Sequence, residues 1–409
     1  MKLRSLSIYF VFNVLSALMP IVTLPLFTRY MSPQDYGTWT VFSLMAIYAS
    51  MISRWEINNA LKLHFVNSEK DFSLYASTAF FFACGWFTLF VVFWLLTLPW
   101  NSGWNGVPAE WFLAVGLLAF FRYQTINLHQ LLQIENRSLL YGIWSFLANI
   151  GLYGVAILLL MFADMDWRAR AWAELLIAAV SFAFVLKFWR RDYGLRWRFD
   201  KRALYEMLIF TSPLMVSSVI SYLLTTVDRL FVAQMLGAEQ LGLYTIAVQL
   251  SASMGLFMTA VTPAWEAALY KYDGSLVMHV RKRLTVFALV VLMVAIVLLV
   301  LPVLLQWVLP ILTDKSFNSA RNYLFPTLLV AAFSGLFALL QPVMVLLNRT
   351  RTFALLNIAM FVAACASMWV CIPIFGGQGA AYALAATYLA GGLVLVFFIV
   401  KWTNHVAYQ

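Results

Sequence analysis

The chain has 409 residues, 63% of them hydrophobic and 11% charged, with 27 Lys and Arg against 17 Asp and Glu. Its mean hydropathy is +0.85. Soluble domains are ~45–50% apolar and ~25% charged, so this composition excludes a soluble enzyme, a disordered chain and a nucleic-acid-binding module.

Apolar runs predict an all-α integral membrane protein with about twelve transmembrane helices of ~20 residues each, which leaves no room for an extramembrane domain. The runs lie near 5–28, 38–60, 73–98, 109–132, 138–163 and 170–188, then 207–236, 241–270, 284–309, 323–347, 353–374 and 379–401. The first follows Lys2 and Arg4 and extends from Leu6 to Thr28. It is too long for a signal-peptide core and reads as an uncleaved span. Cys84, Cys365 and Cys371 fall within apolar runs without metal-type spacing, so no metal site or cofactor is expected.

An even span count puts both termini on one side. With the N-terminus cytoplasmic, only Arg29, Arg168, Arg170, Lys315 and Arg321 fall in outer loops, and Arg54, Arg122 and Arg229 fall inside spans. The other 19 basic residues lie on the cytoplasmic side. That bias predicts cytoplasmic N- and C-termini, and it explains the basic charge without a nucleic-acid partner.

The chain also repeats itself weakly. Met31–Gly37 is echoed by Leu236–Gly242, Trp55-Glu56 by Trp265-Glu266, Gln130 by Gln341, and Asn136-Arg137 by Asn348-Arg349, in order and at nearly constant offset. Two six-helix bundles related by a parallel pseudo-two-fold are therefore expected. They would comprise residues 1–188 and 207–409, joined by a basic cytoplasmic connector over 189–206. In that connector Leu195, Trp197 and Phe199 alternate with Arg196, Arg198 and Asp200. The strip suits either a plain cytoplasmic loop or a segment lying on lipid headgroups.

Ionisable groups inside spans cost ~2.5–3.5 kcal/mol each on insertion scales, so each is a candidate site. Arg122 lies mid-span among Asn127, His129, Gln130 and Gln133. Arg122, His129 and Gln133 share a helix face, which must line a wet cavity or pack on polar neighbours. A guanidinium there suits a phosphate or carboxylate, or else it is tied to a Glu or to backbone carbonyls. Arg54 and Gln341 are further substrate-binding candidates, and Glu174 reads as interfacial. Asp228, Glu56 and Glu266 are candidates for coupling to H⁺ or Na⁺. Pro20, Pro25 and Pro213 are candidate hinges, since proline removes a helical hydrogen bond.

Two segments resemble a known family. Pro25-Leu-Phe-Thr-Arg29-Tyr-Met-Ser-Pro33-Gln-Asp35-Tyr-Gly37 resembles the first-hairpin motif of the polysaccharide transporters, the O-antigen type lipid-linked oligosaccharide flippases of the multidrug/oligosaccharidyl-lipid/polysaccharide exporter superfamily. Ile372–Ala381 resembles that superfamily's loop into the last span, and Asn357 fits the pattern. The resemblance implies a multidrug-exporter-like fold working by alternating access in the bacterial inner membrane. It implies a substrate, an undecaprenyl diphosphate-linked oligosaccharide repeat unit, and the partners of such a step: membrane lipid, glycan polymerase and chain-length regulator proteins. Peptidoglycan-precursor flippases usually carry two more spans, and drug antiporters carry first-span acidic groups that Leu6–Thr28 lacks. The alternatives are a small-molecule or multidrug antiporter and a membrane glycan polymerase or ligase. The outer loops are too short for the latter's usual catalytic loop.

Overall fold

The computed structural model describes residues 3–67, 72–100, 102–163, 165–194, 198–270 and 276–407. It is helical throughout, and no strand occurs among the described residues. The order is α1 (Leu3–Val22), α2 (Leu24–Tyr30), α3 (Pro33–Arg54), α4 (Ile57–Asn67), α5 (Phe72–Thr97), α6 (Phe112–Ile134), α7 (Ser138–Phe162) and α8 (Arg168–Arg191). Then follow α9 (Lys201–Tyr270), α10 (Leu276–Leu312), α11 (Arg321–Leu346), α12 (Thr350–Phe375) and α13 (Gly377–Ala407).

Among the described residues, eight helices are long and apolar enough by composition to cross a membrane. One of these runs within α9, which holds two passes because Gly237 (φ 84°, ψ 176°) breaks it. Only glycine adopts that backbone without strain. α1 with α2, α3 and α6 complete a set of about twelve passes. Many large apolar side chains are left exposed, such as Leu96 of α5 and Leu299 of α10. That pattern suits hydrocarbon rather than water as the surrounding solvent.

The passes are not all continuous. Span one breaks at Thr23, between Pro20 and Pro25, and the Thr23 hydroxyl returns to the Met19 carbonyl at 2.7 Å. Span two breaks at Trp55 and Glu56, both left-handed (φ 48° and 52°). Two adjacent non-glycine residues in that region store about 1–3 kcal/mol each. Pro213 lies inside α9 without a break there.

The motif residues begin α3. Pro33 occupies its first turn, and Ser32 and Asp35 form a capping box: the Asp35 N–H donates to Ser32 Oγ at 3.1 Å, and the Ser32 N–H to Asp35 Oδ2 at 3.2 Å. Gly37 is buried in the second turn, and Arg29 is exposed at the end of α2.

Two compact units form, Met1–Val219 and Ile220–Gln409, so the division falls inside α9 rather than in the expected 189–206 connector. Of that connector, Leu195, Arg196 and Trp197 lie outside the described residues. Trp189 and Tyr193 are buried in a core with Ile57, Leu61, Phe72 and Leu132, and so belong to the first unit's packing. Asp200 starts α9: hydrogen bonds from the Ala203 and Arg202 N–H groups hold its carboxyl below the usual carboxylate range.

Each unit repeats the other's local design. α6 packs on α5 and α8, as α11 packs on α10 and α13. Both α6 and α11 end on a left-handed asparagine, Asn136 (φ 58°) and Asn348 (φ 54°). The following arginine N–H bonds back in the same way, Arg137 to the Leu132 carbonyl and Arg349 to that of Met344, each at 2.9 Å.

Candidate functional site

α6 carries more polar residues than a lipid-facing helix tolerates, so its polar groups must turn inward. They do so on two faces. Arg122, Thr125 and His129 line a cavity of about 400 Å³ inside the first unit. Ser16 of α1, Tyr141, Ser145 and Asn149 of α7, and Glu174 and Ser181 of α8 complete its polar wall. Asn149 Nδ2 donates to Ser16 Oγ at 3.3 Å and to the Ser145 carbonyl at 2.8 Å. His129 meets Tyr141 edge-on at 5.0 Å. Its Nε2 and the Ser145 hydroxyl are buried without a hydrogen-bond partner among the described residues.

Arg122 does not stand alone. Its Nη2 donates to Glu174 Oε2 at 2.6 Å. Trp39 Nε1–H donates to the other oxygen, Oε1, at 2.8 Å. A buried carboxylate is costly unless such charge-assisted bonds satisfy it. Glu174 is thus a buried counter-ion rather than an interfacial group.

Arg170, one turn before Glu174, was expected in an outer loop. It is instead 6% exposed within α8. Its guanidinium lies 3.3 Å from the Trp39 ring centroid, 4.3 Å from Phe27 and 5.2 Å from Tyr36. Ring faces attract a cation most strongly when it is desolvated. Phe27 and Tyr36 belong to the Pro25–Gly37 motif, so the motif builds an aromatic cage for this arginine. Hydropathy missed it because Arg170 lies at the edge of the apolar run. The available signal was the Arg170/Glu174 spacing, which puts both on one helix face.

The other face of α6 holds Tyr123, Gln124, Asn127 and Gln130. Gln130 Oε1 accepts from Asn58 Nδ2 at 2.9 Å, and Asn127 is buried beside Tyr123. Neither lines the cavity around Arg122, and Gln133 is exposed. Beyond them lies the break in span two. Arg54 Nη2 donates to Glu56 Oε1 at 2.7 Å, and Asn59 Nδ2 to Glu56 Oε2 at 2.9 Å. Trp55 Nε1 reaches Ser212 Oγ at 3.1 Å. Arg54 is therefore paired within its own segment.

In the second unit Asp228 is 2% exposed, and Tyr244 donates its hydroxyl hydrogen to Oδ2 at 2.7 Å. The other oxygen, Oδ1, is buried without a partner among the described residues. Tyr323 packs edge-on to Tyr244 and donates to Gln240 Oε1 at 2.8 Å. Glu266 and Gln341 are exposed. Among the described residues no cluster of three His, Cys, Asp or Glu forms a metal site.

The fold has solved counterparts. The lipid II flippase MurJ in an inward closed conformation superposes with a TM-score of 0.77 at 14% identity, covering 96% of this chain and 87% of MurJ. An inward-facing multidrug resistance MATE family transporter of the MOP superfamily matches at 0.70 and 12% identity, covering 98% and 96%. A MOP superfamily transporter from Pyrococcus furiosus matches at 0.58 and 11% identity, covering 98% and 93%. At such identities the likeness establishes the fold alone, one shared with MurJ and the MATE family transporter. No curated protein matches in sequence. The family model described as polysaccharide biosynthesis protein matches residues 3–269, and the chain belongs to that family.

Proposed function

We propose that this protein is a flippase. It carries an undecaprenyl diphosphate-linked oligosaccharide repeat unit, of O-antigen or similar surface glycan, across the bacterial cytoplasmic membrane by alternating access. The observation that carries this reading is a hydrogen-bonding cavity with a guanidinium in its wall, set inside an apolar bundle of a polysaccharide-biosynthesis family member. His129, Ser145 and Asn149 suit glycan hydroxyls. Arg122 suits an anionic group of the substrate, a phosphate or an acidic sugar. Arg122 is held by Glu174. Substrate would compete with Glu174 for it, and a ligand shifts a conformational equilibrium only through such a difference in contacts. Arg54, Asn127, Gln130 and Gln133 of the first unit, and separately Gln341 of the second, are proposed as further polar contacts to substrate.

Asp228, buried with one oxygen unpartnered among the described residues, is the proposed H⁺ or Na⁺ coupling group, ahead of Glu56 and Glu266. The termini are proposed to be cytoplasmic, and a glycan polymerase and chain-length regulator to act on the product. Likeness to a multidrug transporter favours a second reading, export of small molecules.

Complementation separates the two. A strain lacking its repeat-unit flippase is expected to regain surface polysaccharide when it carries this chain. Restored drug resistance without surface glycan would move the assignment to the second reading.

A further inference from the structure

Two arginines share one carboxylate in the first unit. Arg122 reaches Glu174 from α6, and Arg170 stands one turn before Glu174 on α8 itself. Arg170 and Glu174 are each 6% exposed. Among the described residues no carboxylate pairs with Arg170, and its Nη1 is buried without a hydrogen-bond partner. Two guanidiniums against one carboxylate leave a surplus positive charge. A buried ion is costly unless a counter-charge and hydrogen bonds replace its water, and ring faces replace only part of that. The cage of Phe27, Tyr36 and Trp39 therefore makes Arg170 tolerable without giving it a counter-ion.

Arg122 and Glu174 stand in the cavity wall, and Arg170 does not. A ligand that enters the cavity therefore meets Arg122 and not Arg170. What Arg170 can reach is Glu174, because residues four apart lie over one another on a helix face, at the spacing of an Arg–Glu pair. Trp39 joins the two. Its Nε1–H donates to Glu174 Oε1 at 2.8 Å, while its ring centroid lies 3.3 Å from the Arg170 guanidinium. The other oxygen, Oε2, holds Arg122 at 2.6 Å. A side-chain rotation that keeps Oε1 on the indole can carry Oε2 away from Arg122.

We propose that Glu174 has two seats and that Arg170 supplies the second. When an oxyanion of the substrate, a carboxylate or a phosphate, takes the Arg122 guanidinium, Oε2 turns to Arg170 Nη1. Both arginines are then paired, no buried carboxylate is left bare, and the ligand cancels the surplus charge. A neutral sugar offers Arg122 no counter-charge and leaves Glu174 in place. Arg170 is thus a positioning residue, which sets the affinity for anions through Glu174 without touching them. This rests on the flippase reading, in which an anionic group of the substrate reaches Arg122.

The test uses the full chain in phosphatidylcholine nanodiscs at constant ionic strength. Glucuronate and glucose 1-phosphate are the oxyanions, and methyl glucoside is the neutral control. Affinity is read from the ligand-dependent rise in melting temperature. Glu174→Gln removes the competitor and is expected to tighten oxyanion binding by about tenfold. Arg170→Met fills the cage with an apolar side chain. It is expected to weaken oxyanion binding by about tenfold in the parent but by less than about twofold in the Glu174→Gln background, where no carboxylate needs a seat. Arg170→Lys, still a cation one turn from Glu174, should fall between the parent and Arg170→Met. A structural defect at Arg170, or plain through-space attraction by its charge, weakens binding equally in both backgrounds, and that result overturns the proposal. So does methyl glucoside binding as tightly as the oxyanions. A structure of the unsubstituted chain with either oxyanion decides the matter even if a variant misfolds. Glu174 on Arg170 is expected; Glu174 still on Arg122 beside a bound anion, or no oxyanion bound at all, overturns the proposal. Complementation reports on the flippase reading separately. Surface glycan restored without the exchange removes the second seat and leaves that reading, and the exchange without complementation does the reverse.

Discussion

Arg122 and Glu174, 52 positions apart in sequence, meet at 2.6 Å between α6 and α8. This pair makes the cost of an intramembrane arginine tolerable, and it changes what a substitution at Arg122 reports. Breaking a buried pair from one side leaves an uncompensated charge, at roughly 3–5 kcal/mol. Arg122→Ala is therefore expected to lose both thermal stability and translocation, and Arg122→Lys to keep part of each. The double variant Arg122→Ala/Glu174→Ala should regain much of the stability, read as melting temperature in nanodiscs, but no surface glycan. Recovery of glycan by the double variant would reduce Arg122 to the counter-ion of Glu174.

The aromatic cage around Arg170 makes a separable prediction. Trp39→Phe keeps a ring against the guanidinium and removes only the N–H that Glu174 accepts, worth about 1.5–3 kcal/mol for a bond to a charged group. Trp39→Leu also removes the ring and costs up to ~2 kcal/mol more when the cation is desolvated. The expected order of melting temperatures is parent, then Phe, then Leu. Equal losses would show that the ring contact contributes nothing.

Asp228 is tied to Tyr244 at 2.7 Å. Asp228→Asn is expected to abolish the dependence of transport on pH or Na⁺ while retaining insertion. Tyr244→Phe removes the hydrogen bond to Oδ2 and should destabilise by about 1–3 kcal/mol. Transport by Asp228→Asn with the parent's pH and Na⁺ profiles would exclude this residue from coupling.

Asn136 and Asn348 test the internal repeat. Glycine at either position should be nearly neutral, because it adopts the left-handed conformation freely. Valine at either should cost about 1–2 kcal/mol, the penalty of that conformation for a residue with a β-carbon. Matching effects at the two sites, measured by thermal denaturation, are expected.

Asp200 supplies a pH dependence. Its carboxyl is held below its ordinary value by the N–H groups it caps. Its contribution is therefore full above the unfolded-state value and is lost as pH falls through the lower, folded-state value. Asp200→Asn keeps a capping oxygen and cannot titrate there, so its melting temperature should vary less with pH across that acid window than the parent's. Identical slopes would contradict the capping role.

Much of the fold was legible in the residues because lipid imposes a one-dimensional rule. Every pass must be apolar over bilayer thickness, and charge is so scarce that each basic residue carries topological information. The repeat was legible in Asn136-Arg137 and Asn348-Arg349, because a left-handed helix end selects asparagine locally. Arg122 stood out because nothing near it in sequence could pay for its burial. What lay beyond sequence was pairing across helices. Periodicity put Arg122, His129 and Gln133 on one face, but only packing decides how far along a helix that face stays covered, and Gln133 is exposed. The break at Trp55-Glu56 contains neither glycine nor proline, so no local preference announces it; contacts to Ser212 and Asn59 hold it in place. Composition and spacing thus determined the solvent, the passes and Arg122 as a mid-span cation. The tertiary structure alone decided that Glu174 neutralises it and that the motif cages Arg170, because both depend on side chains from different helices meeting where no water competes.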